Sequence, residues 1–199
     1  MKMNLPNKLT MLRIFLTVII LILIGFNWSQ FNIVWPTYLV GGKVLLKLNY
    51  VIALIIFIIA SITDCLDGKI ARKKNLVTDF GKLVDAIADK ILVNSVLIIL
   101  AAQGFIHPII PVVIIIRDSV VNSIKMLAAS KGKVVAAIKS GKIKTACLMV
   151  GIVLTLFYNL PFELWNISVG KVLLFIATIL SVVSGVQYFT LNKHLIKDK

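Results

Sequence analysis

The chain has 199 residues, of which 59% are hydrophobic, and its mean hydropathy is +1.00. Soluble domains contain roughly 45–50% apolar residues, so this composition excludes an ordinary water-soluble protein and indicates a membrane protein. The net charge of +14 would suit a nucleic-acid-binding protein, but the positions of the cations argue against that class.

Six apolar runs follow one another along the chain. Most of them approach the roughly 20 residues that a helix needs to cross the hydrocarbon core of a membrane. They cover residues 11–26, 50–62, 83–102, 109–129, 145–158 and 169–189. Residues 27–49 contain Trp35-Pro36 and Gly41-Gly42, which favour a surface connection rather than a span. The sequence therefore predicts an all-α polytopic membrane protein with six transmembrane helices, in a single domain over residues 1–199.

The cations are unevenly divided between the two ends of the predicted helices. With the N-terminus inside, three face outward, namely Lys43, Lys47 and Lys171. The other nineteen are Lys2, Lys8, Arg13, Lys69, Arg72, Lys73, Lys74, Lys82, Lys90, Arg117, Lys125, Lys131, Lys133, Lys139, Lys142, Lys144, Lys193, Lys197 and Lys199. Lys and Arg are enriched on the cytoplasmic side of membrane proteins, so the split predicts that both termini are cytoplasmic. Membrane topology and attraction to anionic lipid then explain the high net positive charge, and no nucleic-acid partner is needed.

Four of the eight acidic residues lie at the inner ends of the second and third predicted helices: Asp64, Asp67, Asp85 and Asp89. A carboxylate at the centre of a spanning helix costs about 2.5–3.5 kcal/mol on insertion scales, so residues near such depth indicate a function. At helical spacing each pair falls on one face of its helix. Because the two helices run in opposite directions, these faces can oppose each other at the cytoplasmic boundary of the membrane.

The four carboxylates need compensating positive charge. In the sequence only Arg72 and Lys82 lie near enough to offset them. Oxygen ligands without His or Cys suit Mg²⁺ or Mn²⁺, and two such ions about 3.5–4 Å apart suit displacement at phosphorus. The sequence therefore predicts a site for two divalent cations. The alternative is that the carboxylates pair with lysines of the inner loops or face water near the membrane interface.

Small residues share the faces that carry the carboxylates. Gly68, Ala71 and Gly81 would let a ligand or another helix approach closely. Arg72 has a planar guanidinium suited to bidentate phosphate contact. Together they suggest a slot for a diphosphate.

These residues form a motif. Asp64-x-x-Asp67-Gly68-x-x-Ala71-Arg72, followed by Gly81, Asp85 and Asp89, resembles without a gap the signature of the CDP-alcohol phosphatidyltransferases. The six predicted helices agree with that family over essentially the whole chain. The resemblance implies an enzyme with its active site at the cytoplasmic membrane boundary, which transfers a phosphatidyl group from CDP-diacylglycerol to an alcohol and releases CMP.

The resemblance also implies roles for individual residues. Asp64, Asp67, Asp85 and Asp89 would bind the two cations, and Asp89 would also act as general base towards the acceptor hydroxyl. The CDP site would be lined by Gly68, Ala71, Arg72, Thr78, Gly81 and Asn7. Relatives in this family also imply a homodimer, in the plasma membrane of a bacterium.

Residues 5–13, 77–90 and 140–145 resemble one branch of the family, the bacterial phosphatidylglycerophosphate synthases, which implies sn-glycerol 3-phosphate as acceptor. Two positions depart from that branch: Ala86 stands where Pro is usual, and Arg117-Asp118 stands where Arg-Glu is usual. A phosphorylated acceptor entering beside four aspartates needs cations of its own. Arg117, Lys142 and Lys144 are predicted to supply them.

Two alternatives remain open from the sequence. The same chemistry could use another acceptor, such as inositol phosphate, serine or phosphatidylglycerol. Aspartates on small-residue helix faces could instead form a cation transporter, which would have no use for Arg72 and should not respond to CMP.

Overall fold

The computed structural model describes residues 5–73, 79–133 and 135–196, with the side chains of residues 5–6, 65–73, 79–83, 85–86 and 194–196 excepted. It contains the helices α1 (Leu5–Gly25), α2 (Leu48–Lys73), α3 (Asp79–Ala102), α4 (Ile109–Ser130), α5 (Lys139–Leu156) and α6 (Val169–Ile196). The six predicted apolar runs lie in these six helices, except for residues 26 and 157–158 at two helix ends. The prediction of a mostly helical chain with six long helices is confirmed.

The connection between α1 and α2 is not helical throughout. After a 3₁₀ turn at Trp28–Phe31, strands β1 (Thr37–Val40) and β2 (Val44–Lys47) form an antiparallel hairpin. Gly41 and Gly42 lie between the strands with φ of +60° and +68°, a conformation that favours glycine at a tight hairpin turn. The all-α prediction is therefore wrong in this one detail.

The six helices share one core. α1 packs on α2 and α3, α6 packs on α4 and α5, and α2–α5 and α3–α4 contacts connect the two groups. Every helix contributes a fully buried apolar side chain to the same cluster, for example Ile20, Phe57, Leu97, Ile114, Ile152 and Leu174. This arrangement brings the beginning of α1 beside the end of α2.

Large apolar side chains also cover the outside of the bundle. Phe15 on α1, Ile116 on α4 and Phe175 on α6 are exposed. In the part of the chain that the structure describes, Asn7–Gly25 and Val169–Lys193 are long and apolar enough to cross a membrane. Both observations support a membrane protein, since exposed apolar surface of this extent is unfavourable in water.

The close approach of α5 and α6 gives a test of the packing. A Cβ added at Gly151 would lie 2.8 Å from Leu174 Cγ and 3.3 Å from the Leu174 backbone nitrogen. Gly151→Val should therefore lower the free energy of unfolding by about 1–3 kcal/mol, as overpacking does in tight cores. Ala146→Val adds similar bulk at an exposed position of the same helix and should change it little. Unfolding of both variants in detergent provides the comparison, and equal stabilities would contradict this packing.

Candidate active site

An ion pair between a buried cation and a partly exposed carboxylate connects α1 to the second half of α2. Arg13 Nη1 lies 2.5 Å from Asp64 Oδ1, and the Arg13 side chain is 0% exposed, whereas that of Asp64 is 37% exposed. Thr10 and Thr17, also buried, lie on the same face of α1, and Thr17 Oγ1 donates to the carbonyl oxygen of Arg13. The polar face of α1 therefore holds a cation against the first predicted metal ligand.

Arg13 was missed as a site residue in the sequence. It was counted there among the cytoplasmic cations, and only Arg72 and Lys82 were considered as counter-charges for the aspartates. A signal was present: Arg13 interrupts an apolar run, as Arg117 does. The pairing itself could not be read from the sequence, because Arg13 and Asp64 are on different helices.

The structure describes the side chains of only some of the other predicted site residues. Asp89 lies on α3 with an exposed side chain, and Asn7 lies near the start of α1 with a partly exposed one. Several predicted residues lie on α2 or α3 but have side chains outside the described set: Asp67, Gly68, Ala71, Arg72, Gly81 and Asp85. Thr78 lies outside the described residues altogether. The backbone thus places Asp64 and Asp67 on α2, and Asp85 and Asp89 on α3.

The donor atoms at this end suit a hard divalent cation. Asp64 and Asp89 offer carboxylate oxygens that are accessible to solvent. Among the side chains that the structure describes, no three His, Cys, Asp or Glu residues come together, and Asp67 and Asp85 are not in that set. These two carboxylates therefore suit Mg²⁺ or Mn²⁺ chemically, as the predicted metal site requires.

A second charged cluster lies between α4 and α5, around Asp118. Arg117 Nη1 contacts Asp118 Oδ1 at 2.8 Å, and Lys144 Nζ donates to Oδ1 at 3.0 Å and to Oδ2 at 3.1 Å. The Lys144 side chain is 4% exposed. Because a buried ammonium is costly without a counter-charge, Asp118 is what allows Lys144 to be buried as a cation.

Arg117 is held from several directions. Its Nε donates to Ser184 Oγ at 3.0 Å, and its Cζ lies 5.5 Å from the centre of the Tyr188 ring, both on α6. A Cβ added at Gly141 would lie 3.3 Å from Arg117 Nη2, and a Cβ added at Gly185 would lie 3.1 Å from Arg117 Cγ. These glycines therefore leave the space that the guanidinium and its stem occupy.

The structure brings together two of the three predicted acceptor cations. Arg117 and Lys144 meet at Asp118, whereas the Lys142 side chain is exposed. Residues two apart do not share a helix face, which explains why Lys142 and Lys144 point in different directions. Lys144 and the half-buried Lys90 interact electrostatically with both Asp118 and Asp89. The cationic cluster therefore lies near the predicted general base.

Asp118 was also missed in the sequence, where it was noted only as a departure from Arg-Glu. Its position beside Arg117 was visible, but its contact with Lys144 depends on how α4 and α5 pack. An acidic residue inside an apolar run is a signal that could have identified it.

Comparisons with known proteins agree with one another. A family model described as CDP-alcohol phosphatidyltransferase matches residues 3–183. A CDP-diacylglycerol–glycerol-3-phosphate 3-phosphatidyltransferase of Bacillus subtilis (strain 168) is 40% identical over 196 residues, which cover 98% of this chain and 97% of that protein. A Mycoplasma pneumoniae protein of the same name is 38% identical over 154 residues, which cover 77% of this chain and 68% of that protein.

Among solved structures, the apo form of Mycobacterium tuberculosis phosphatidylinositol phosphate synthase matches with a TM-score of 0.61. The match covers 98% of this chain and 93% of that one, at 19% identity. At this identity the likeness concerns the fold alone.

The Asp118 cluster predicts a stability effect. Asp118→Ala would leave Lys144 buried without its carboxylate and should lower the free energy of unfolding by about 3–5 kcal/mol. Asp118→Glu keeps a carboxylate within reach of Lys144 and should lower the free energy of unfolding clearly less. Denaturant unfolding of both variants in detergent measures the difference, and an Asp118→Ala protein as stable as the wild type would show that Lys144 does not depend on this contact.

Proposed function

This chain belongs to the CDP-alcohol phosphatidyltransferase family, and we propose that it transfers the phosphatidyl group of CDP-diacylglycerol to sn-glycerol 3-phosphate, giving phosphatidylglycerophosphate and CMP. The observation that carries this proposal is the 40% identity, over nearly the full length of both chains, to a protein named for that reaction. The motif from Asp64 to Asp89 supports the phosphotransferase chemistry, and the cations near Asp89 support a phosphorylated acceptor.

At phosphorus the reaction forms one bond and breaks one. The acceptor hydroxyl oxygen attacks the phosphorus that carries the diacylglycerol, and the bond from that phosphorus to the bridging oxygen breaks, so CMP leaves with the bond's electron pair. Asp89 takes the proton of the attacking hydroxyl as general base. Its exposed carboxylate on α3 is accessible to a substrate from solution.

Two divalent cations, Mg²⁺ or Mn²⁺, would be held by Asp64, Asp67, Asp85 and Asp89. They would supply positive charge for the diphosphate and for the departing phosphate of CMP. Arg13 contributes indirectly, since its contact with Asp64 Oδ1 fixes the orientation of that carboxylate. Around the nucleotide we place Asn7, Gly68, Ala71, Arg72, Thr78 and Gly81.

The acceptor phosphate is proposed to bind the cations beside Asp89, with Arg117 and Lys144 in the cluster and Lys142 at its exposed side. The contacts of Arg117 with Ser184, Tyr188 and Asp118 hold the guanidinium in place before substrate arrives. Preorganised charge of this kind lowers the cost of binding a dianion.

We place the enzyme in the plasma membrane of a bacterium, as one domain with six spans and both termini in the cytoplasm. Nineteen cations on one side against three on the other support this topology. A cytoplasmic active site is consistent with water-soluble substrates and products such as glycerol 3-phosphate and CMP. A homodimer is part of the same proposal, by analogy with the family.

The activity has a direct test. Purified protein with CDP-diacylglycerol and Mg²⁺ should release CMP when sn-glycerol 3-phosphate is added, and a chelator should abolish the release because the carboxylates then lack their counter-charge. Asp85→Asn should be inactive under the same conditions, while Glu163→Gln, at the other end of the bundle, should retain activity. Faster release with serine or inositol phosphate than with glycerol 3-phosphate would replace the proposed acceptor, and full activity in chelator would remove the metal proposal.

The two substrate sites should separate kinetically. Arg117→Ala and Lys142→Ala each remove charge-assisted hydrogen bonds worth about 1.5–3 kcal/mol, so the KM for glycerol 3-phosphate should rise roughly tenfold to a hundredfold. The KM for CDP-diacylglycerol should change little in both, because binding energy is lost on one substrate only. Arg72→Ala should show the reverse pattern. An increase in the donor KM with Arg117→Ala would place Arg117 in the donor site instead.

A further inference from the structure

Tyr188 on α6 is buried and is held from two sides. It is 3% exposed and forms a cluster with the buried Val121 and Ile124 of α4. Its hydroxyl oxygen accepts a hydrogen bond from the backbone N–H of Ile138 at 3.3 Å. Ile138 directly precedes α5, so the ring is fixed between α4 and the start of α5.

The ring of Tyr188 has two cations of α4 as neighbours. Arg117 Cζ lies 5.5 Å from the ring centre, and Lys125 Nζ lies 5.6 Å from it. These two residues are eight positions apart, which corresponds to about 12 Å along a helix and to one helix face. Both cations nevertheless approach one ring, and the face of an aromatic ring attracts cations. Tyr188 therefore orders charge as well as filling space.

The contacts of Arg117 leave one end of its guanidinium for a ligand. Nε donates to Ser184 Oγ, and Nη1 contacts Asp118 Oδ1. Within the part of the chain that the structure describes, Nη2 has no hydrogen-bond partner, and it lies 3.3 Å from where a Cβ would be at Gly141. Tyr188 Cε2 lies 3.9 Å from that same point. The ring thus borders the open end of the guanidinium, beside the first turn of α5.

Two hydrogen bonds alone do not fix a planar guanidinium. With Nε and Nη1 held, the group can still rotate about the line that joins these atoms, and this rotation moves Nη2. A ring at cation–π distance opposes the rotation, because attraction is lost as the cation moves away from it. The direction in which Nη2 can donate therefore depends on Tyr188.

We propose that Tyr188 is a positioning residue of the acceptor site, whose ring holds Arg117 so that Nη2 meets the acceptor phosphate. This role rests on the proposed function, because it requires that Arg117 binds that phosphate. Tyr188 itself is assigned no contact with a substrate. Its effect passes through Arg117 and concerns the acceptor, not CDP-diacylglycerol.

The test compares Tyr188→Leu, which removes the ring, with Tyr188→Phe, which removes only the hydroxyl. The full chain in detergent with Mg²⁺ is assayed for CMP release and titrated with sn-glycerol 3-phosphate by calorimetry. Tyr188→Leu should raise the KM and the Kd for glycerol 3-phosphate about threefold to thirtyfold, the range for one cation–π contact, with the KM for CDP-diacylglycerol unchanged. Tyr188→Phe should stay within about twofold of the wild type. Tyr38→Leu, at an exposed tyrosine of β1, is the matched control and should change none of these constants.

A double variant shows whether the effect passes through Arg117. In an Arg117→Ala background, Tyr188→Leu should raise the acceptor constants no further, because the group that the ring positions is gone. A further rise of about threefold or more would give Tyr188 a role independent of Arg117 and overturn the proposal. A merely structural role would lower the folded fraction and kcat but leave both KM values unchanged, which would overturn it equally.

The remaining outcomes also decide. Wild-type acceptor constants in Tyr188→Leu, or a Tyr188→Phe protein as impaired as Tyr188→Leu, would refute the role of the ring. If Tyr188→Leu does not fold, Tyr188→Met, which keeps more of the side-chain volume, is measured in its place. A wild-type protein that does not bind glycerol 3-phosphate would remove the proposed acceptor and this role together, whereas unchanged constants in the variants alone would remove only the role of Tyr188.

Discussion

A charged side chain enclosed among apolar helices is stable only where an opposite charge contacts it, because the loss of hydration costs several kcal/mol per ion. The described charges at the active-site end of this bundle follow that constraint. Arg13, fully buried on α1, contacts Asp64 on α2, and Lys144, nearly buried on α5, contacts Asp118 on α4. Each pair connects two helices, so the same contacts that satisfy the charges also fix how these helices face each other. The positions of the proposed substrate-binding groups depend on these two ion pairs.

In the proposed acceptor site, the ion pairs of the Asp118 cluster would serve binding as well as stability. With one carboxylate between Arg117 and Lys144, the three groups carry a net charge of about +1, so the cations are held close together without strong mutual repulsion. A phosphate bound there as proposed would meet donors whose positions are already set, and the negative charge of Asp118 would weaken their attraction for it. The exposed Lys142, in contrast, points in a different direction from Lys144 and would lose more side-chain freedom on contacting a ligand.

The sequence predicted the helices and the chemistry better than the contacts. Apolar runs and an uninterrupted aspartate motif were enough to identify six helices and the phosphotransferase family, since both are local patterns. Arg13 and Asp118 were not recognised as partners of Asp64 and Lys144, because helical periodicity indicates which face of a helix is polar but not which other helix lies opposite. The hairpin was expected only as a surface connection, and the contact of Tyr188 with Arg117 depends on tertiary packing that no sequence pattern specifies.

The Arg13–Asp64 contact has a consequence for biogenesis. A guanidinium within an apolar helix is costly in lipid, by up to about 2.5–3.5 kcal/mol at the bilayer centre on translocon scales, so α1 entering lipid alone would carry an uncompensated charge in its first half. Entry of α1 and α2 together, as a helical hairpin, supplies the carboxylate at the same moment. Residues 26–47 would then cross the membrane between the two helices before α3 is inserted. In the proposed topology, the ion pair would therefore favour joint insertion of the two helices that carry it.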